Sequence, residues 1–318
     1  SEPQAYSTVR RGFANESNAA DAGAGGVAAI GFMKNPGYTR GIELQETGSL
    51  ADHAPFRIER GDDSHVAELI LTARAQGPDF WDAFPAAIDE LNADTGVRCI
   101  VLRGEAENFS YGLDLQNMIG TVGPLLENGA AGRAAIIDLA AGMVKGFDAM
   151  AAGRVPVVAA VDGWCIGAGV ELIAACDLRV CSAQARFALK EVQVGMVPDL
   201  GGSSRLPYLV GEGWAREMAL TGDPIDASTA QRIGLVNHVL DHAGALLDKA
   251  HAIAARIAAN PPLVVGSIRQ VMNARIARTV IDGNREAATL NGMLMQSEDF
   301  AEAMRAFMEK RAPEFKGR

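Results

Sequence analysis

Positive charge is scarce in this sequence. Against 39 aspartates and glutamates stand 29 lysines and arginines, a formal net charge of −10 over 318 residues. A chain with that balance lacks the basic surface that holds nucleic-acid backbones or anionic membranes, so neither is expected as a main partner. Long apolar runs are missing too, which removes a transmembrane span. The start of the sequence has no charged-then-apolar leader pattern and its last residues, Phe315 to Arg318, are not a Ser-Lys-Leu address. A cytoplasmic location is the resulting expectation. Cysteine is sparse: Cys99, Cys165, Cys176 and Cys181 lie in apolar segments without a C-x-x-C pair, and reduced, buried thiols are expected. The 5 histidines form no H-E-x-x-H and none lies near a cysteine at ligand spacing, so no metal site is expected. Serine-hydrolase and P-loop chemistry lose their local signatures, since no G-x-S-x-G is present and no Walker A lysine follows a glycine run.

What is present is a core-forming chain, 48% hydrophobic, with one stretch around which the rest is arranged. From Val155 a β-branched apolar run leads to Gly163, a small-residue turn passes through Gly167, Ala168 and Gly169, and a segment with the composition of a buried helix follows to Asp177. Strand, tight turn and helix in that order aim backbone N–H groups at one point, where a carbonyl oxygen gaining negative charge would be stabilised. A dinucleotide fingerprint is the weaker interpretation, because Leu172 stands where the third glycine belongs. Glu171 sits in the first helical turn, and Glu191 and Asp199 follow in a segment that ends at Gly201 and Gly202. Any one of these acids alone would be an ordinary cap or strand-end residue. Their joint recurrence after apolar strands and in glycine-rich turns marks a shared site for proton chemistry beside a carbonyl.

Along the chain, residues 1–54 are rich in Ala, Gly, Ser and Asn and read as a flexible extension. Strands are predicted at 56–59 and 66–72 around a turn at 61–63, a helix at 78–91, and a buried strand at 97–103 leading into a second amide-presenting turn at 108–115. A long helix is predicted at 134–152, and short strands at 178–182 and 186–190. This alternation predicts an α/β layered core. Beyond Gly202 helices are predicted at 203–210, 213–220, 228–233, 243–259, 263–277, 281–295 and 297–311, with one brief strand at 236–240. The parts are therefore an extension (1–54), a core (55–255) and a helical C-terminal region (256–318).

Four ordered segments give the chain a specific resemblance. Phe109 to Asp114, Gly163 to Glu171, Glu191 to Gly202 and Thr221 to Asn237 are similar to successive motifs of the crotonase family, the enoyl-CoA hydratase and isomerase superfamily. The resemblance covers about residues 56 to 318. It implies a crotonase-like spiral of ββα units with a helical C-terminal trimerisation region, assembled as a homo-trimer or a homo-hexamer, whose helical tail (295–316) covers a neighbour's site. It implies an acyl-CoA thioester as substrate, with coenzyme A part of that substrate and no separate cofactor. It assigns the backbone amides of Leu113 and Ala168 to the oxyanion hole and proton transfer to Glu171, Glu191 and Asp199. Substrate binding falls to Arg74, Ala75, Gly112, Gly167 and Lys310, with Lys316 a further cation of the tail. Hydratases of the family carry both glutamates; dienoyl-CoA isomerases carry an aspartate at the position of Glu171 and a further aspartate at that of Asp199. Asp199 speaks for dienoyl-CoA isomerisation, but the pair of glutamates and the longer reach of Glu171 make hydration of a trans-2-enoyl-CoA in fatty-acid β-oxidation the expected activity, with dienoyl-CoA isomerisation the alternative and a non-catalytic acyl-CoA-binding module the alternative from another class.

Overall fold

The computed structural model describes residues 55–60 and 64–318. The expected extension over 1–54 and the turn at 61–63 lie outside the described residues. The first strands are β1 (Phe56–Arg60), β2 (Val66–Leu71) and β3 (Cys99–Gly104); the central strand is β4 (Val157–Val161), flanked by β6 (Leu178–Ser182) and then β9 (His238–Leu240). Among the described residues they form a 6-stranded sheet in the order β1-β2-β3-β4-β6-β9. Only the β1–β2 pair is antiparallel. A smaller sheet takes β5 (Trp164–Ile166), β7 (Arg186–Ala188) and β8 (Ile225–Asp226).

Central β4 explains why this sheet is covered on both sides. All five of its residues are buried, and because side chains alternate across a strand, Val157, Ala159 and Val161 enter one core while Val158 and Ala160 enter another. The first core is closed by α1 (Pro78–Ala93) and α3 (Gly129–Ala152) through Phe80, Phe84, Ile88, Met143 and Phe147. The second is closed by α7 (Ala243–Ala258), whose Leu246, Ala250, Ala254 and Ala258 recur at the helical i, i+4 spacing.

The chain advances as a spiral of strand, short strand and helix. β4 leads through β5 into α4 (Ala168–Ala174), and β6 leads through β7 and a 3₁₀ turn (Glu191–Val194) into α5 (Gly202–Thr221). Earlier turns replace the short strand by a single paired residue. Gln76 pairs with Leu113 before α1, and Ser110 pairs with Cys165 before α2 (Leu115–Leu126). Each turn of the spiral therefore delivers one loop to the same end of the second sheet.

The C-terminal helices are α6 (Ala227–Arg232), α7, α8 (Pro262–Leu294) and α9 (Glu298–Glu309). α8 corrects an expectation: the helices predicted at 263–277 and 281–295 are one element of 33 residues, because Val280 at the expected break is buried and packing overrides its weak propensity. The break predicted between 210 and 213 does occur, as a kink at Gly211 (φ 78°, ψ 159°) within α5. α2 was not predicted. Gly120, Gly123 and Pro124 weaken its pattern, and it is held at its start by the Asp114 side chain, which accepts from the Asn117 N–H at 3.1 Å. The four cysteines are free and buried as expected, and burial pushes the Cys99, Cys176 and Cys181 thiols up to about 12. No helix among the described residues is long and apolar enough to cross a membrane.

Candidate active site

Two loops that follow parallel strands are stitched together here. The Ser110 N–H donates to the Trp164 carbonyl at 3.0 Å and the Ile166 N–H to the Ser110 carbonyl at 2.9 Å. The Gln76 N–H donates to Gly112 O at 2.7 Å and the Asp114 N–H to Gln76 O at 3.0 Å, so the segment carrying Arg74 and Ala75 runs along the turn at 111–114. In a strand-like ladder alternate amides face opposite ways. Gly112 O and the Asp114 N–H face Gln76, and the Leu113 N–H between them has no protein acceptor among the described residues. The Ala168 N–H, first in α4, is free in the same sense.

Two glycines make this approach possible. Gly112 has φ +77°, and a Cβ there would meet the Ile166 carbonyl oxygen at 2.5 Å and the Ala168 nitrogen at 3.0 Å. Gly167 has φ +54°, and a Cβ there would meet Glu191 Oε1 at 2.8 Å. Both positions favour a residue without a side chain on conformational and on spatial grounds.

Leu113, Ala168, Glu171, Glu191 and Asp199 all line one cavity of about 60 Å³, walled by apolar residues including Met118, Ile136, Met143 and Leu200. It shares Leu113, Met118, Val122, Met196 and Met295 with a larger apolar cavity of about 530 Å³ between α2 and the start of α9. Glu171 is 1% and Glu191 8% exposed. Glu171 Oε1 accepts from the N–H groups of Leu200 (3.0 Å) and Gly202 (2.7 Å), which ties it to the start of α5. Glu191 Oε2 is buried with no hydrogen-bond partner among the described residues. Asp199 Oδ2 accepts from the Asn291 side chain of α8 at 2.8 Å.

Burial raises all three acids. Desolvation, then the repulsion of Glu191 and Asp199, holds the Glu171 carboxyl well above the usual range, against the two backbone N–H donors that favour its charge. Desolvation raises Glu191 to about 7, and Asp199 to about 6 against the lowering effect of the Asn291 bond. Three carboxyls so close in an apolar cavity cannot all ionise, so the cluster retains protons near neutrality and holds acid and base together. Such a set can take a proton from one atom and return it to another, while the two bare amides bind an oxygen that gains charge.

Comparison with known proteins fits this geometry. The model of the enoyl-CoA hydratase/isomerase family matches residues 75–318. The chain belongs to that family. It is 35% identical over 276 residues to a mitochondrial Delta(3,5)-Delta(2,4)-dienoyl-CoA isomerase of Dictyostelium discoideum, covering 84% of this chain and 93% of that protein. It is 28% identical to a probable enoyl-CoA hydratase of Bacillus subtilis, over 80% of this chain and 96% of that one. A solved enoyl-CoA hydratase/isomerase from Pseudoalteromonas atlantica superposes with a TM-score of 0.71 at 26% identity, covering 82% of this chain and 100% of that one. The fold is thus the crotonase-like α/β spiral, and the protein is an acyl-CoA enzyme of the crotonase superfamily.

The cationic residues expected at the coenzyme A end stand apart from the cavity of the acids. Arg74 and Lys310 are exposed and do not line the catalytic cavity; Lys310 ends α9 in a left-handed conformation (φ 54°). Lys316 is exposed as well, its backbone N–H held by Asp299. Asn291 was missed, because an asparagine late in a long helix looks like a surface residue. No cluster of His, Cys, Asp and Glu suited to a metal ion occurs among the described residues.

Proposed function

We propose that this chain isomerises a 3,5-dienoyl-CoA to the conjugated 2,4-dienoyl-CoA. The amides of Leu113 and Ala168 hold the thioester oxygen, which lowers the cost of removing a proton from C2. Glu191 takes that proton. It is the carboxylate beside Gly167, whose successor supplies one of the two amides, and its Oε2 is unpartnered among the described residues. The electron pair released spreads through the diene to the thioester oxygen, Asp199 delivers a proton to C6, and the proton held by Glu191 returns to Asp199 before the next turnover. One C–H bond breaks and one forms, the double bonds move by one position each, and no electrons are exchanged with a cofactor. Coenzyme A belongs to the substrate, with Arg74, Ala75 and Lys310 assigned to it.

The observation that carries this choice is Asp199, a third buried acid on the wall of the cavity that holds both glutamates. Moving a proton between carbons four positions apart calls for two proton-handling groups besides any that merely orient. Glu171, with Oε1 committed to two backbone amides, suits the orienting role. Hydration of a trans-2-enoyl-CoA is the second reading, favoured by the two glutamates and by a cavity of about 60 Å³, which admits a water of ~30 Å³. Ultraviolet absorbance of purified protein given each substrate separately decides: growth of a 2,4-dienoyl band supports isomerisation, and loss of the enoyl band with no activity on the diene overturns it.

Assembly into trimers or hexamers and a cytoplasmic location are parts of the same proposal. The former is supported by an apolar ridge on α8, where Leu263 is 86% exposed and Val264, Ile268, Val271 and Met272 are exposed beside it. Light scattering that returned a monomer mass at micromolar concentration would refute it, and cell fractionation tests the location.

A further inference from the structure

We propose that Asn291 is a positioning residue for Asp199: its side-chain amide fixes which aspartate oxygen faces the cavity and steadies the charge left when that acid gives up its proton. The inference rests on the proton transfer proposed above. Asn291 lies on α8, far along the chain from every motif that marks the site, and is 1% exposed.

Its three hydrogen bonds define its orientation. Asn291 Oδ1 accepts from the Val197 N–H at 2.8 Å, and Nδ2 donates to the Val197 carbonyl and to Asp199 Oδ2, each at 2.8 Å. A backbone N–H can only donate and a carbonyl can only accept, so the amide cannot be reversed without losing both Val197 bonds. Both Nδ2 hydrogens are then used, and one of them must point at Asp199. With Oδ2 anchored, Oδ1 is the oxygen left to carry the proton. The helix is fixed against sliding by the next residue: a Cβ on Gly292 would meet Ile137 Cγ1 at 2.8 Å and the Arg133 carbonyl at 3.2 Å, so α8 and α3 are in close contact there.

The electrostatics give the contact a consequence for rate. The charged groups facing Asp199 are Glu171 from α4 and Glu191 from the 3₁₀ turn, both acidic, and no lysine, arginine or histidine lines the cavity among the described residues. The Asn291 N–H is therefore the side-chain donor that offsets repulsion and burial as Asp199 becomes an anion. Removing it makes Asp199 a weaker acid and slows delivery of the proton to the far end of the diene.

The test uses Asn291→Asp, which keeps an oxygen for the Val197 N–H and exchanges the donor for an acceptor. Turnover of 3,5-dienoyl-CoA should fall by about tenfold or more, the equivalent of one charge-assisted hydrogen bond. KM should stay within about twofold, and the alkaline limb of the pH profile should move up by about one unit. Carboxyl-region infrared titration, with Asp199→Asn as the blank for the parent and the Asn291→Asp, Asp199→Asn double variant as the blank for Asn291→Asp, should show the same upward shift without any turnover. An unshifted pH profile with a lower melting temperature reduces Asn291 to a packing role and overturns the proposal, as does an Asp199 titration indifferent to the substitution. Should Asn291→Asp fail to fold, wild-type protein labelled at asparagine side-chain nitrogen carries the test. Its Asn291 Nδ2 resonance should follow a titration that vanishes in Asp199→Asn, and a resonance indifferent to pH overturns the proposal. Absence of any turnover of the diene by the wild type would remove the proposed reaction, while the infrared and nitrogen signals would still decide the Asn291 contact.

Discussion

A single methyl group at Gly112 tests the meeting of the two amide-bearing turns. In Gly112→Ala the new carbon would lie 2.5 Å from the Ile166 carbonyl oxygen and 3.0 Å from the Ala168 nitrogen, at φ +77°. Holding an alanine left-handed costs ~1–2 kcal/mol, and crowding a packed contact costs ~1–3 kcal/mol. Together these amount to roughly 2–5 kcal/mol, a large share of the ~5–15 kcal/mol that holds a typical domain. The chain can relieve the clash by letting the turn retreat about 1 Å, to the ~3.3–3.6 Å of an ordinary carbon–oxygen contact. That retreat carries the Leu113 N–H away from the Ala168 N–H. Misplacement by 1 Å, or loss of one such donor, typically costs about a hundredfold or more in rate. We expect Gly112→Ala to unfold at lower urea and, in the fraction still folded, to lose about a hundredfold in kcat/KM on 3,5-dienoyl-CoA. Gly142→Ala in α3 is the control, since nothing lies within 4 Å of a Cβ there; it should leave kcat/KM unchanged and, as a glycine replaced inside a helix, should not lower the urea midpoint. Stability loss with an unchanged kcat would refute the role given to the two amides.

Two further outcomes follow from groups outside those turns. Asp199 and Glu191 are raised by burial to about 6 and about 7, so from about pH 4 upward to these values the folded chain binds more protons than the unfolded one, and the site weakens the fold as pH rises. Asp199→Asn and Glu191→Gln should therefore withstand more urea than the parent at pH 8, with the gap closing toward pH 4; a gap of opposite sign would remove the buried-acid account. Arg269, buried on α8, pairs with Asp177 at 2.7 Å and donates to the Met150 and Gly153 carbonyls. Truncation to alanine should cost ~3–5 kcal/mol in urea unfolding, as for other broken buried pairs, and a loss below ~1 kcal/mol would show the pair to be dispensable.

The parts legible in the sequence were those whose cause is local. The β-branched run into Gly163 and the glycines at 167 and 169 announce a strand, a tight turn and a helix because backbone sterics act over a few residues. Glu171 was visible because it follows such a turn, and Glu191 because it stands at the end of an apolar strand segment ahead of a glycine-rich loop. Asn291 was invisible for the opposite reason: its meaning comes from Val197 and Asp199, more than ninety residues earlier, and nothing in its own helix marks it. α2 was hidden by Gly120, Gly123 and Pro124, which lower propensity at a place where Met118 is its one fully buried side chain. α8 is divided in the sequence reading by the weak helix formers Thr279 and Val280, whose propensity the burial of Val280 overrules.

The double burial of β4 divides the molecule by the ease with which its parts open. Amide hydrogens of β4 and its neighbours β3 and β6 exchange with solvent only when both cores come apart, which places them at the slow end of the exchange hierarchy. α4, whose residues are all buried, continues directly from that ladder through β5. α2, with Met118 as its one fully buried side chain, belongs at the fast end. The wall that α2 gives to the cavity can thus loosen and re-form without disturbing the half of the site that carries Ala168 and Glu171. A wide or bulky acyl group would then cost only the local opening of one short helix, and tolerance of acyl shape becomes a property separable from catalytic power.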